Sequence, residues 1–169
     1  MTEIDRSFET IRPEDLARLT QLALEDQATF FRRDPGIAAA YRDRLLCIAL
    51  CQGAALHYID GKNGVKDFDV WAFYREAAAR PFPRRRPRVV RDFGDPRFGQ
   101  SPDAPHFRGR RVDILVKSID AADSVRVEDA VQQYLRASRT PTARCLAEKA
   151  VVVLQPGEAR GTVLWPMQW

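Results

Sequence analysis

The spacing of apolar side chains changes period along the chain, and each change predicts an element. Leu16, Leu19, Leu22, Ala23 and Phe30 fall on one helical stripe. Pro13 suits the first turn of that helix, and Glu14 and Asp15 suit its positive end. Asp34-Pro35-Gly36 breaks it, and a second helix is predicted from Ile37 to about Arg44. Residues 1–12 read as a polar lead-in, and residues 1–44 as helices packed over a sheet.

From Leu45 to Leu50 the chain is continuously apolar, the pattern of a buried strand. Gly53 ends it, Ala54 to Ile59 can form a helix, and residues 60–64 are a turn by composition. Asp67 to Tyr74 reads as an aromatic-rich strand. Residues 80–109 have almost no periodicity and hold six of the eleven prolines, a length of irregular chain that is functional or disordered in most domains. Within that insertion Arg88 to Phe93 predicts a short edge strand, and Arg110 to Lys117 predicts another strand just after it. Val127, Ala130, Val131, Tyr134 and Leu135 recur at helical spacing. A further helix is predicted from Thr142 to Lys149, capped by Thr140 with Pro141 at its first position. Residues 150–154 and 161–165 then read as a strand pair. The fold class is α+β, one domain whose mixed sheet (residues 45–169) is flanked by helices.

Composition adds two constraints. At 169 residues with 45% apolar content, the chain can bury a core without staples. No apolar run reaches the roughly 18–20 residues of a membrane helix, and the N-terminus carries no apolar leader, so the expectation is a cytoplasmic protein with no membrane partner. Three cysteines argue against a disulfide framework, and Cys47 and Cys51 read as buried thiols. Charge is uneven: residues 75–111 hold eleven arginines against four acids, +7 in a chain of net +4. Concentrated guanidinium suits phosphate, although a solvated basic loop is the plainer reading.

The chemistry rests on aspartates. Asp67 and Asp69, two apart on a strand, share one face of it. Asp113 sits between Val112 and Ile114 in a second apolar strand, where a carboxylate is costly unless paired or bound to a cation. An Asp-x-Asp pair can simply cap a turn, but three acids converging from adjacent strands are the oxygen set that Mg²⁺ prefers, completed by phosphates. His57 reads as a hydrogen-bonded core residue and His106 as a surface one. No Walker loop, Rossmann glycine triplet or Gly-x-Ser-x-Gly elbow occurs.

In these residues the span from Leu45 to Lys117 resembles the nucleotidyltransferase superfamily, the group containing DNA polymerase beta and the minimal nucleotidyltransferases. The shared pattern is an apolar strand, a glycine turn (Gly53-Ala54), Asp-x-Asp about ten residues later (Asp67, Asp69) and a third acid on a later strand (Asp113). The family usually has Ser where Ala54 stands and often Ser where Lys66 stands. The resemblance implies that Asp67, Asp69 and Asp113 are catalytic residues holding Mg²⁺. It implies a nucleoside triphosphate bound by Gly53, Ala54, Lys62, Lys66, Arg84, Arg85 and Arg86. The implied activity is transfer of a nucleoside monophosphate to an acceptor hydroxyl, on nucleic acid, protein or a small molecule. The alternatives are an inactive module of the same fold that binds nucleotide or nucleic acid, and a metal-dependent phosphoryl hydrolase or nuclease.

Overall fold

The computed structural model describes residues 5–83 and 88–167. The order of elements is α1 (Pro13–Arg33), α2 (Pro35–Tyr41), β1 (Leu45–Cys51), α3 (Gln52–Asp60), β2 (Phe68–Arg75), β3 (Val89–Asp92), β4 (Arg111–Ile119), α4 (Val127–Ala137), α5 (Pro141–Ala147), β5 (Val151–Gln155) and β6 (Val163–Trp165). The six strands form one mixed sheet in the order β3-β4-β2-β1-β5-β6. Only β2 and β4 run parallel; every other neighbouring pair is antiparallel. The architecture is therefore α+β with a mixed sheet.

Alternation along the strands divides the core into two layers. Ile48, Leu50, Val70, Ile114 and Val152 join Leu16, Leu19, Tyr41 and Ala54 on the face covered by α1, α2 and α3. Cys47, Ala49, Cys51, Phe73, Val151 and Val153 face the opposite way, toward Ala130, Val131 and Leu135 of α4 and Leu146 of α5. β1 is buried on both faces, which is why its sequence shows no alternation.

Local chemistry sets the helix ends. The Asp15 carboxylate accepts from the Arg12 N–H at 2.7 Å, closing the first turn of α1. Asp34 ends α1 and caps α2 by accepting from the Ile37 N–H at 3.0 Å, so α2 starts at Pro35, two residues before the sequence pattern suggests. Thr140 caps α5 through the Ala143 N–H at 3.0 Å. That helix stops at Ala147, short of the predicted Lys149, and leaves Lys149 outside it.

The described part of the insertion is built rather than loose. The Asp92 carboxylate accepts from the backbone N–H groups of Gly94, Arg108 and Gly109 at 2.8–2.9 Å. Gly109 is required there, because a Cβ would stand 2.5 Å from the Asp95 carbonyl oxygen. Phe93 and Phe98 pack on Phe68 with ring centroids 5.0 and 5.3 Å away. Arg110, 2% exposed, donates to the carbonyls of Phe98, Asp5 and Lys66. Arg97 lies over the Phe98 ring and pairs with buried Asp15.

Candidate active site

The site is built where β1 turns into α3. Gln52 opens that turn with φ of +62°, a conformation a non-glycine residue adopts only when its surroundings impose it. Its N–H donates to the Ala150 carbonyl, and its side-chain amide donates to Cys145. Gly53 follows with its missing side chain facing three polar groups. A Cβ there would stand 2.8 Å from Asn63 Nδ2, 3.7 Å from Lys149 Nζ and 3.8 Å from Arg6 Nη1. Asn63 ties the next loop to this turn by donating to the carbonyls of Gly53 and Gly64. His57 fixes the same loop from beneath. It is buried, its Nδ1 accepts from the Gly64 N–H, and its Nε2 lies 3.0 Å from the Glu9 carbonyl. Both ring nitrogens are thus engaged in structure.

β2 carries the acids to the edge of this turn. Asp69 stands beside Cys51 on one side and is the direct register partner of Asp113 on the other. Adjacent strands lie about 4.8 Å apart, so Asp69 and Asp113 share a face on neighbouring backbones. Asp67 precedes the first residue of β2 and, two positions before Asp69, shares its face. Asp67 and Asp69, but not Asp113, line a cleft of about 330 Å³ together with Gly53, Ala54, Gln52, Trp71 and Leu115, with Arg6, Lys66, Arg88 and Lys149 supplying positive charge. Among the described residues no hydrogen bond or ion pair engages the carboxylates of Asp67 or Asp69. Burial, with the charges of Asp67 and Asp113 beside it, pushes the Asp69 carboxyl up to about 7, against the opposing pull of Arg111 and Arg88. Asp67 is raised by burial first and by Asp113 second. Burial and the Asp69 charge also hold the Cys51 thiol well above its usual value.

Asp113 differs from both. It is 2% exposed, and the Arg111 guanidinium grips it in bidentate fashion, Nε to Oδ1 at 2.8 Å and Nη2 to Oδ2 at 2.9 Å. Arg88 adds a contact at 3.8 Å, and Arg111 also pairs with Asp103. Among the described residues no three His, Cys, Asp or Glu side chains are disposed as a metal-binding group. The donor set tests in two parts against Mg²⁺. Asp67 and Asp69 fit one hard cation, since such an ion takes one or two carboxylates and completes its shell with phosphate and water. Asp113, already committed to an arginine, does not fit as it stands.

Of the phosphate-binding residues expected from the sequence, Gly53, Ala54 and Lys66 line the cleft. Lys62 does not; its backbone N–H closes a turn on Asp60 and its side chain is exposed. Arg84, Arg85 and Arg86 lie outside the described residues. Within the described insertion Arg80, Arg97, Arg110 and Arg111 pair with Asp34, Asp15, Asp5 and Asp113, and Arg88 lines the cleft. Arg6 and Lys149 were not anticipated. Both are distant in sequence from the acids, and no local pattern marks them. A second, open cleft of about 940 Å³ lies farther along β4, bordered by Lys117, Phe82, Tyr134 and Arg139. Lys117 is four residues beyond Asp113 and so shares its face.

Comparison of the chain with family models, curated proteins and solved structures returned no match. No helix among the described residues is long and apolar enough to cross a membrane.

Proposed function

We propose that this chain is a Mg²⁺-dependent nucleotidyltransferase that moves a nucleoside monophosphate from a nucleoside triphosphate to an acceptor hydroxyl. The observation that carries the reading is the cleft itself: two half-buried carboxylates, Asp67 and Asp69, with no partner among the described residues, face four cationic side chains across a strained strand-to-helix turn. Asp67 and Asp69 hold Mg²⁺, which when bound neutralises phosphate charge and polarises the phosphorus under attack. The triphosphate lies at the first backbone N–H groups of α3, on the turn where Gly53 leaves room for Asn63 to hold the next loop. Lys149 and Arg6 converge on that spot and mutually repel unless an anion lies between them. They take the contact that Ala54, lacking a hydroxyl, does not make. Lys66 and Arg88 neutralise the remaining phosphate charge, with Arg84, Arg85 and Arg86 in the same role from the insertion. Trp71, ring-stacked on Phe73, offers the base an apolar wall. The acceptor approaches along the β4 face from the larger cleft.

The engagement of Asp113 by Arg111 favours one competing reading, a module that binds nucleotide without turning it over. Incubation of the full chain with α-labelled triphosphates, Mg²⁺ and candidate acceptors separates the two. Label transfer that disappears in Asp69→Asn supports the transferase. Binding without transfer supports the module, and cleavage of nucleic acid without triphosphate supports a hydrolase.

A further inference from the structure

The three aspartates are not equivalent, and their difference predicts how many cations the site accepts. Arg111 and Asp113 are two apart on β4 and therefore share the face that carries Asp67 and Asp69. The guanidinium lies close enough to Asp67 and Asp69 to oppose the rise of both carboxyls. A two-ion site needs shared carboxylates to hold both ions about 3.5–4 Å apart. Here the carboxylate that completes such a pair has both oxygens occupied by Nε and Nη2 of one arginine. The arginine is itself anchored, with Nη1 on Asp103 and a side chain only 16% exposed. Freeing Asp113 for a metal therefore strands a largely buried guanidinium beside the incoming ion, and both effects oppose a second cation.

Resting on the nucleotidyltransferase reading above, we propose that the site takes one divalent cation, on Asp67 and Asp69, and that Arg111, locked to Asp113, is a resident positive charge where a second ion would otherwise sit. Asp113 is then a positioning residue: it holds Arg111 on the acidic face and is not a ligand. Guanidinium remains protonated at every accessible pH, so this second charge is permanent and independent of metal concentration.

The test is titration of the full chain with Mn²⁺, protein in excess, read by electron paramagnetic resonance with and without a non-hydrolysable ATP analogue. The parent is expected to bind one Mn²⁺ per chain with the spectrum of an isolated ion in both cases. The charge-neutral double variant Arg111→Gln/Asp113→Asn should keep that stoichiometry, with affinity within about threefold. Arg111→Gln alone frees the Asp113 carboxylate and should admit a second ion, visible as the broadened spectrum of a coupled pair. If Arg111→Gln does not fold, as judged by circular dichroism, the double variant decides. A coupled pair in the parent, or a loss of more than about tenfold in the double variant, overturns the single-cation proposal and leaves the transferase reading standing. A parent that binds no Mn²⁺, or an Asp67→Asn variant that binds it as the parent does, overturns both.

Discussion

Two regions of this molecule are rich in charge, and they use it in opposite ways. In the described insertion several charges are spent on structure: Arg97 on Asp15, Arg110 on three carbonyls and Asp5, and Asp92 under three backbone N–H groups, although Arg91 Nε there is buried with no partner among the described residues. In the cleft at the β1–α3 turn, Asp67 and Asp69 have no partner among the described residues, and four cations stand opposite. The two carboxylates that represent these regions titrate in opposite directions. Burial raises Asp92, but its N–H donors outweigh that and leave it below the usual carboxylate range, whereas burial and like charge carry Asp69 up to about 7. Charge density by itself therefore marks neither structure nor function. Charge left unsatisfied marks the place where a ligand is expected, because the fold bears an energetic cost there that a bound counter-charge removes.

The comparison breaks most sharply at Asp69. Asp69→Asn should reduce label transfer by about 10³-fold, the scale of one lost electrostatic clamp on a reacting phosphoryl group. The same variant should melt no lower than the parent, since it relieves repulsion from Asp67 and Asp113. Calorimetry and the transfer assay together check both halves. In the insertion the pattern inverts. Arg97→Ala leaves the buried Asp15 carboxylate without its guanidinium and should cost about 3 kcal/mol, or roughly 6–12 °C in Tm, while per-molecule transfer by the folded protein stays at the parent's level.

Smaller effects sharpen the boundary between the regions. Lys149→Ala should weaken triphosphate binding by about tenfold, the worth of one charge-assisted hydrogen bond, without lowering Mn²⁺ affinity. Stability against pH provides a further check. Asp69 binds its proton more tightly folded, with a value of about 7, than unfolded, near the ordinary 3.8. Its contribution to stability is therefore full at pH below about 4 and is lost as pH rises toward 7. Asp92, held below its ordinary value, contributes the opposite slope: stability present above that value and lost as pH falls through its folded one. Chemical denaturation of the metal-free protein from pH 4 to 8 should show a decline with rising pH that Asp69→Asn flattens. The smallest effect is expected from Arg84, Arg85 and Arg86 replaced together by Ala. Stability should move by no more than about 0.5 kcal/mol per site, while the salt dependence of triphosphate or polyanion binding becomes shallower. An unchanged salt slope would assign those arginines to plain solvation.

Sequence alone determined the elements and the acidic pair. Period and capping chemistry are local, so α1, the β1 run, the Thr140 cap and the Asp67–Asp69 spacing are all legible within a few neighbouring residues. Those same residues also carry the α+β class, because helical and strand periods are interleaved along one chain. Tertiary structure decided which charges remain available. That Arg97 belongs to Asp15, 82 positions away, and that Arg6 and Lys149 meet over Gly53, depends on contacts between distant segments that leave no local periodic trace. Even Arg111 and Asp113, two residues apart, could not be read as a locked pair from their spacing. Period two places them on one face, but whether a carboxylate there meets a guanidinium or a metal is settled by burial, by Asp103 anchoring the arginine and by Asp69 across the sheet.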